Sequence, residues 1–171
     1  ALKHNGWYWL YGTSAGDGFR GWKSRDLVHW EPLGYVFRRD EQTWAEKSFW
    51  APEVTHYRGR FYLVYSATGK GLDGFRICMA VADRPEGPFD DLHAPLFDNG
   101  WACIDAHLFV DDDGTPCLFF DRVGTVPEPD KHMYGVIYAA PMKEDLSGLA
   151  SEPVEIAHAE GADAIAHGAT G

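Results

Sequence analysis

The sequence predicts an all-β chain folded as a β-propeller, with about three blades and the start of a fourth. Two observations carry that prediction. A turn glycine followed by an aromatic, β-favouring run appears three times, at Gly6 to Tyr11, Gly59 to Tyr65 and Gly114 to Phe120, and the glycines stand 53 and 55 residues apart. Helix signals are scarce, because 10 prolines and 19 glycines interrupt the stretches between these runs. A repeat of roughly 40 to 55 residues made of strands and turns is the signature of propeller blades rather than of helical solenoids.

Each aromatic run is followed by a second strand that leaves into a polar turn: Gly21 to Leu27, Ile77 to Asp83 and Val136 to Pro141. Ser24, Ala82 and Pro141 hold corresponding places, 58 and 59 residues apart, so both elements keep one cadence. Asp17-Gly18 and Asp111-Asp112-Asp113-Gly114 read as turns, and the latter lacks the bidentate glutamate that an EF-hand calcium loop needs. Asp26 to Trp30 and Lys143 to Leu149 are too short for more than a turn of helix. Three units fit residues 1–47, 48–98 and 99–150, with 151–171 opening a fourth. An open wedge of blades exposes strand edges and apolar faces, so the sequence anticipates either a longer natural polypeptide or self-association that covers them.

The chemistry-bearing residues gather in two of these units. In Ser48-Phe49-Trp50-Ala51-Pro52-Glu53-Val54, Ala51 precedes a proline and is expected to be extended, so that Glu53 opens a strand leading into the run His56 to Ala67. A second carboxylate, Asp105 in Cys103-Ile104-Asp105-Ala106-His107-Leu108-Phe109, sits at what reads as the equivalent place before the next run. Phe49 and Trp50 suit a wall on which the apolar face of a sugar stacks, and equally suit packing between blades. Glu53 reads either as a ligand to sugar hydroxyls or as an acceptor for backbone N–H groups around the Trp50 turn. His107, two residues beyond Asp105, points to the same side of its strand and suits a bond to substrate or to Asp105, or a buried structural role. For Asp105 itself, the competing reading is a turn cap or a partner of Arg122.

Composition narrows the ligand. A net charge of −11, from 26 acidic against 15 basic residues, speaks against nucleic acid and against an anionic membrane surface, and favours a neutral ligand. No apolar run approaches the ~20 residues that a membrane span needs, and the compartment is left open between cytoplasmic and secreted. Cys78, Cys103 and Cys117 lack paired spacing and read as small buried hydrophobes. The histidines show no metal-ligand spacing, so no metal site is assigned.

Four segments in order, Ser24-Arg25-Asp26-Leu27-Val28-His29-Trp30, Trp50-Ala51-Pro52-Glu53-Val54, Arg84-Pro85-Glu86-Gly87-Pro88-Phe89 and Ile104 to Gly114, make a specific set. Together they resemble glycoside hydrolase family 43, over Ala1 to about Glu160. The resemblance implies a five-bladed propeller that hydrolyses arabinose- or xylose-containing chains with inversion, using a general-base aspartate, a central aspartate that tunes the acid, and a glutamate acid. Asp105 matches the central aspartate. The base is expected a few residues before Leu2, outside this chain. Glu160 in Glu160-Gly161-Ala162, 55 residues after Asp105, is the acid candidate, although it lacks the proline of the family's Glu-Gly-Pro. Glu86-Gly87-Pro88 has those letters but precedes Asp105. The resemblance implies a carbohydrate substrate and no organic cofactor, and it admits a structural calcium or sodium ion on the propeller axis. The rival readings are a non-catalytic carbohydrate-binding propeller and a protein-interaction propeller, whose recurring Trp-Asp or glycine-pair motifs are missing here.

Overall fold

In a computed structural model, which describes residues 1–123 and 136–158, the described residues form three four-stranded antiparallel sheets and no helix. The first holds β1 (Leu2–His4), β2 (Trp7–Ala15), β3 (Gly18–Ser24) and β4 (Glu31–Arg38). The second holds β5 (Ala45–Tyr57), β6 (Arg60–Gly69), β7 (Arg76–Ala82) and β8 (Asp90–His93), and the third β9 (Ala102–Val110), β10 (Pro116–Val123), β11 (Val136–Pro141) and β12 (Val154–His158). Within each sheet the strands neighbour one another in chain order, the up-and-down arrangement of a propeller blade.

The repeating glycines make the first hairpin of each sheet. Asn5 and Gly6 have φ of 49° and 74°, Arg58 and Gly59 of 47° and 82°, so both are two-residue turns with left-handed central residues, whose twist matches that of the strands they join. The run His56 to Ala67 is therefore not one strand but the end of β5, a turn and most of β6. In the third sheet the turn closes with the Gly114 N–H on the Asp111 carbonyl at 2.8 Å.

Two further expectations change. Ala51 is left-handed, with φ of 46°, rather than extended. Residues 154–158 do not open a fourth blade, because β12 pairs with β11 from Val136↔His158 to Ala139↔Val154 and completes the third sheet. In keeping with the scarce helix signals, Asp26 to Trp30 is a loop, tied by the Asp26 carboxylate, which accepts the N–H groups of Val28 and His29 at 2.9 and 2.8 Å.

The sheets stack through two seams. Between the first and second lies an aromatic cluster of Phe19, Phe37, Phe49 and Tyr65, with the Phe49 and Tyr65 rings stacked at 6.1 Å. Glu86-Gly87-Pro88 belongs to this seam: Gly87 has φ of 76° and a Cβ there would meet the Val36 carbonyl at 2.6 Å, while the neighbouring Pro85 carbonyl accepts the Tyr11 hydroxyl at 2.8 Å. Those letters serve blade packing. Between the second and third sheets, Val64, Ile77 and Met79 pack on Cys103, Ala106, Leu108 and Phe120. Arg76, 4% exposed, is buried beside them, with Nε donating to Asp98 Oδ1 and Nη1 to the Asp73 and Phe75 carbonyls, each at 2.9 Å. The Cys103 N–H in turn donates to the Phe75 carbonyl at 3.2 Å, so Arg76 fastens the loop before β7 to the start of β9. Cys78 and Cys103 are buried thiols as expected, whereas Cys117 is partly exposed.

Candidate active site

β5 and β9 are the first strands of their sheets and lie against each other, with the Thr55 hydroxyl donating to the Leu108 carbonyl at 2.9 Å. Both carry the same irregularity. In β5, Trp50 pairs with Ser66 and Glu53 with Val64, so Ala51 and Pro52 face the single residue Tyr65. In β9, Ile104 pairs with Asp121 and His107 with Phe119, so Asp105 and Ala106 face the single residue Phe120. These are matching β-bulges, and the first residue of each is left-handed, at φ of 46° for Ala51 and 56° for Asp105. The counterpart of Asp105 is therefore Ala51, not Glu53. Glu53 corresponds instead to His107.

A bulge re-aims the side chain it carries. Asp105 is exposed, and among the described residues no ion pair and no side-chain hydrogen bond reaches its carboxylate. Partial loss of water pushes its carboxyl above the ordinary aspartate range. Arg122 does not neutralise it, since that guanidinium lies over the Trp101 ring at 5.1 Å. The charge of Asp105 is thus uncompensated by any described cation.

Glu53 and His107, in equivalent register on adjacent strands, join: His107 Nδ1–H donates to Glu53 Oε1 at 2.7 Å. With Nδ1 occupied, Nε2 is the ring atom left to accept a hydrogen bond from a ligand hydroxyl. His107 bonds neither to Asp105 nor to the protein interior. Trp50 is 41% exposed, and its ring lies 4.5 Å from that of Phe75, tilted by 35°, which makes a two-ring platform. Phe49 is no part of that wall. It is 2% exposed, because the residue before Trp50 on a strand points the other way, into the aromatic cluster of the first seam. Glu160 lies outside the described residues.

Sequence reasoning passed over Phe75 and Ser66. Phe75 sits in a glycine-rich loop that lacks strand periodicity. Ser66, fully buried, accepts the Asp105 N–H on its Oγ at 2.9 Å. Its signal was its place, seven residues after the turn glycine Gly59, as Thr13 is seven after Gly6. Among the described residues no group of three or more His, Cys, Asp or Glu side chains is placed to hold a metal ion.

The model of the glycosyl hydrolases family 43 matches residues 1–168. The chain belongs to that family. A family 43 relative, the xylosidase/arabinosidase 43A of Humicola insolens, is 40% identical over 88 residues, which are 51% of this chain and 26% of the relative. A thermostable family 43 glycoside hydrolase superposes with a TM-score of 0.83 at 39% identity, over 91% of this chain and 51% of that one. The endo-arabinase from Bacteroides thetaiotaomicron superposes with a TM-score of 0.79 at 30% identity, over 91% of this chain and 52% of its own. The chain thus spans about a quarter of the first relative and about half of the two solved structures. The all-β architecture and its blade order agree with a family 43 propeller.

Proposed function

We propose that this chain forms part of the substrate-facing end of a glycosidase that hydrolyses arabinose- or xylose-containing carbohydrates by inversion. The observation that carries the reading is the uncompensated carboxylate of Asp105, held on a left-handed bulge beside the Glu53–His107 pair. Family membership supports hydrolysis of a glycosidic bond, and relatives named xylosidase/arabinosidase and endo-arabinase support a pentose substrate.

Inverting hydrolysis needs an acid that protonates the leaving oxygen and a base that activates water on the opposite face, about 6.5–9.5 Å away. Asp105 has neither duty in this reading. A fixed negative charge near the acid disfavours its ionisation and keeps it protonated at the pH where the base is ionised. That role requires a carboxylate whose field no neighbouring cation cancels, which is the state of Asp105. Trp50 and Phe75 offer an aromatic face to the apolar side of a sugar ring, and His107 Nε2 offers an acceptor to one of its hydroxyls. Glu53 fixes the His107 ring rather than touching the sugar. Glu160 remains the acid candidate on sequence phase.

The test is hydrolysis of aryl arabinofuranosides and aryl xylosides by the protein and by its Asp105→Asn variant. Turnover should fall in the variant with sugar binding kept. Sugar binding without turnover by the unaltered protein would favour a carbohydrate-binding propeller, and no affinity for either pentose would overturn the reading.

A further inference from the structure

We infer that Ser66 is a positioning residue for Asp105: its buried hydroxyl, on the second strand of one blade, captures the bulge amide of the next blade's first strand and so sets where the Asp105 carboxylate points. The inference rests on the reading of Asp105 as a site carboxylate, but its geometry stands apart from that reading.

Two seams show the same contact. The Ala51 N–H donates to Thr13 Oγ1 at 3.1 Å, and the Asp105 N–H donates to Ser66 Oγ at 2.9 Å. In both cases the acceptor lies seven residues after a turn glycine on a second strand, and the donor is the left-handed residue of a bulge in the following sheet. A bulge leaves one residue out of the strand ladder, so its N–H needs another acceptor. A short hydroxyl side chain from the neighbouring sheet meets that need at a single place. Once the amide is held, the left-handed backbone is held with it, and the direction of the Cα–Cβ bond follows. At Ala51 the side chain so directed is a methyl group. At Asp105 it is the uncompensated carboxylate. Ser66 is therefore linked to the reacting end of the molecule through the backbone of Asp105, touching neither substrate nor the carboxylate itself.

The repeat supplies both the control and the rescue. Ser66→Ala removes the acceptor, Ser66→Thr keeps a hydroxyl of the kind already used at Thr13, and Thr13→Ala removes the equivalent contact at the other seam. In the full chain, nuclear magnetic resonance follows the Asp105 amide resonance and the titration of the Asp105 carboxyl carbon. Ser66→Ala should shift both, the titration midpoint by about half a pH unit or more, Ser66→Thr should restore them, and Thr13→Ala should leave them in place. In steady-state kinetics Ser66→Ala should lower kcat more than it raises KM, whereas Thr13→Ala, next to the Trp50 platform, should act mainly on KM. Hydrogen exchange on the unaltered protein needs no variant: the Asp105 amide should exchange at least a hundredfold more slowly than an open amide. An unprotected Asp105 amide, or equal effects of Ser66→Ala and Thr13→Ala on the Asp105 resonances, overturns the inference. Full turnover by Asp105→Asn together with shifted resonances in Ser66→Ala would instead remove the functional reading and leave the contact standing.

Discussion

At the seam between the first and second sheets Thr13 holds the amide of Ala51; at the seam between the second and third Ser66 holds the amide of Asp105. The backbone device is the same, and the packing around it differs. The first seam is closed by stacked aromatics and by the neutral Tyr11–Pro85 hydrogen bond. The second is closed by aliphatic contacts and by the buried Arg76 guanidinium, which reaches out to the exposed carboxylate of Asp98. The second and third sheets thus share one bulge in their first strands and differ in the residue that it carries, Ala51 in one and Asp105 in the other. A propeller can acquire a carboxylate at its mouth without changing a strand, since the left-handed position that costs Ala51 roughly 1–2 kcal/mol is one that aspartate visits more readily.

The sharpest way to break this comparison is to place one side chain at both bulges. Asp105→Asn should lower turnover by about tenfold or more, the effect of moving the acid by a unit or more, while Ala51→Asn leaves it near the unaltered level; equal losses would show that the two positions do not differ in role. Next in size is the contrast in packing. Arg76→Met should lower unfolding stability in urea by about 2–4 kcal/mol, because the Asp73 carbonyl loses its donor, the Phe75 carbonyl keeps only the Cys103 N–H and Asp98 loses its cation, with the cost moderated by the water that Asp98 retains. Tyr11→Phe, which strands only the Pro85 carbonyl, should cost about 1–2 kcal/mol. An Arg76 loss no larger than the Tyr11 loss would contradict the account of the second seam.

A smaller effect separates the seams by pH. Partial loss of water raises the carboxyls of both Asp91, which accepts the Tyr65 hydroxyl at 2.7 Å, and Asp105 above the ordinary value of 3.8. A raised native pKa means that the folded state binds the proton more tightly than the unfolded chain does. Stability is then greatest below the unfolded value and falls as pH rises through the folded one. Asp91→Asn should flatten part of that slope through the first seam and Asp105→Asn the rest through the second, measured as urea midpoints across the acid range. Smallest of all, Ala51→Gly should stabilise the chain by up to about 1 kcal/mol, since glycine carries no penalty at φ of 46°. A destabilised Ala51→Gly would show that the left-handed backbone is not under strain.

The frame was readable in the sequence because its punctuation is chemical. Gly6, Gly59 and Gly114 mark the hairpins, and the aromatic runs behind them become β2, β6 and β10. The outermost strands β4, β8 and β12 were not readable. They are short or interrupted by Pro32 and Gly34, and largely exposed. At the site, Asp105 and His107 were legible as letters, but their counterparts were not. Spacing paired Glu53 with Asp105, whereas the bulges put two residues against one and shift the match to Ala51, a change of register that only the strand pairing exposes. The proline rule also misled at Ala51, where the inter-sheet hydrogen bond to Thr13 holds a conformation that local sterics disfavour. Phe49 and Trp50 carry similar side chains, and strand alternation alone decided that one is core and the other faces solvent.

The central claim is that Asp105 acts through an uncompensated charge, and the pH dependence of kcat/KM tests it most directly. In the active enzyme the alkaline limb reports the acid that must stay protonated. Removing a nearby negative charge makes that acid ionise more easily, so Asp105→Asn should move the alkaline limb to lower pH while residual activity persists at acid pH. An alkaline limb that stays where it is, with turnover intact, would contradict the account.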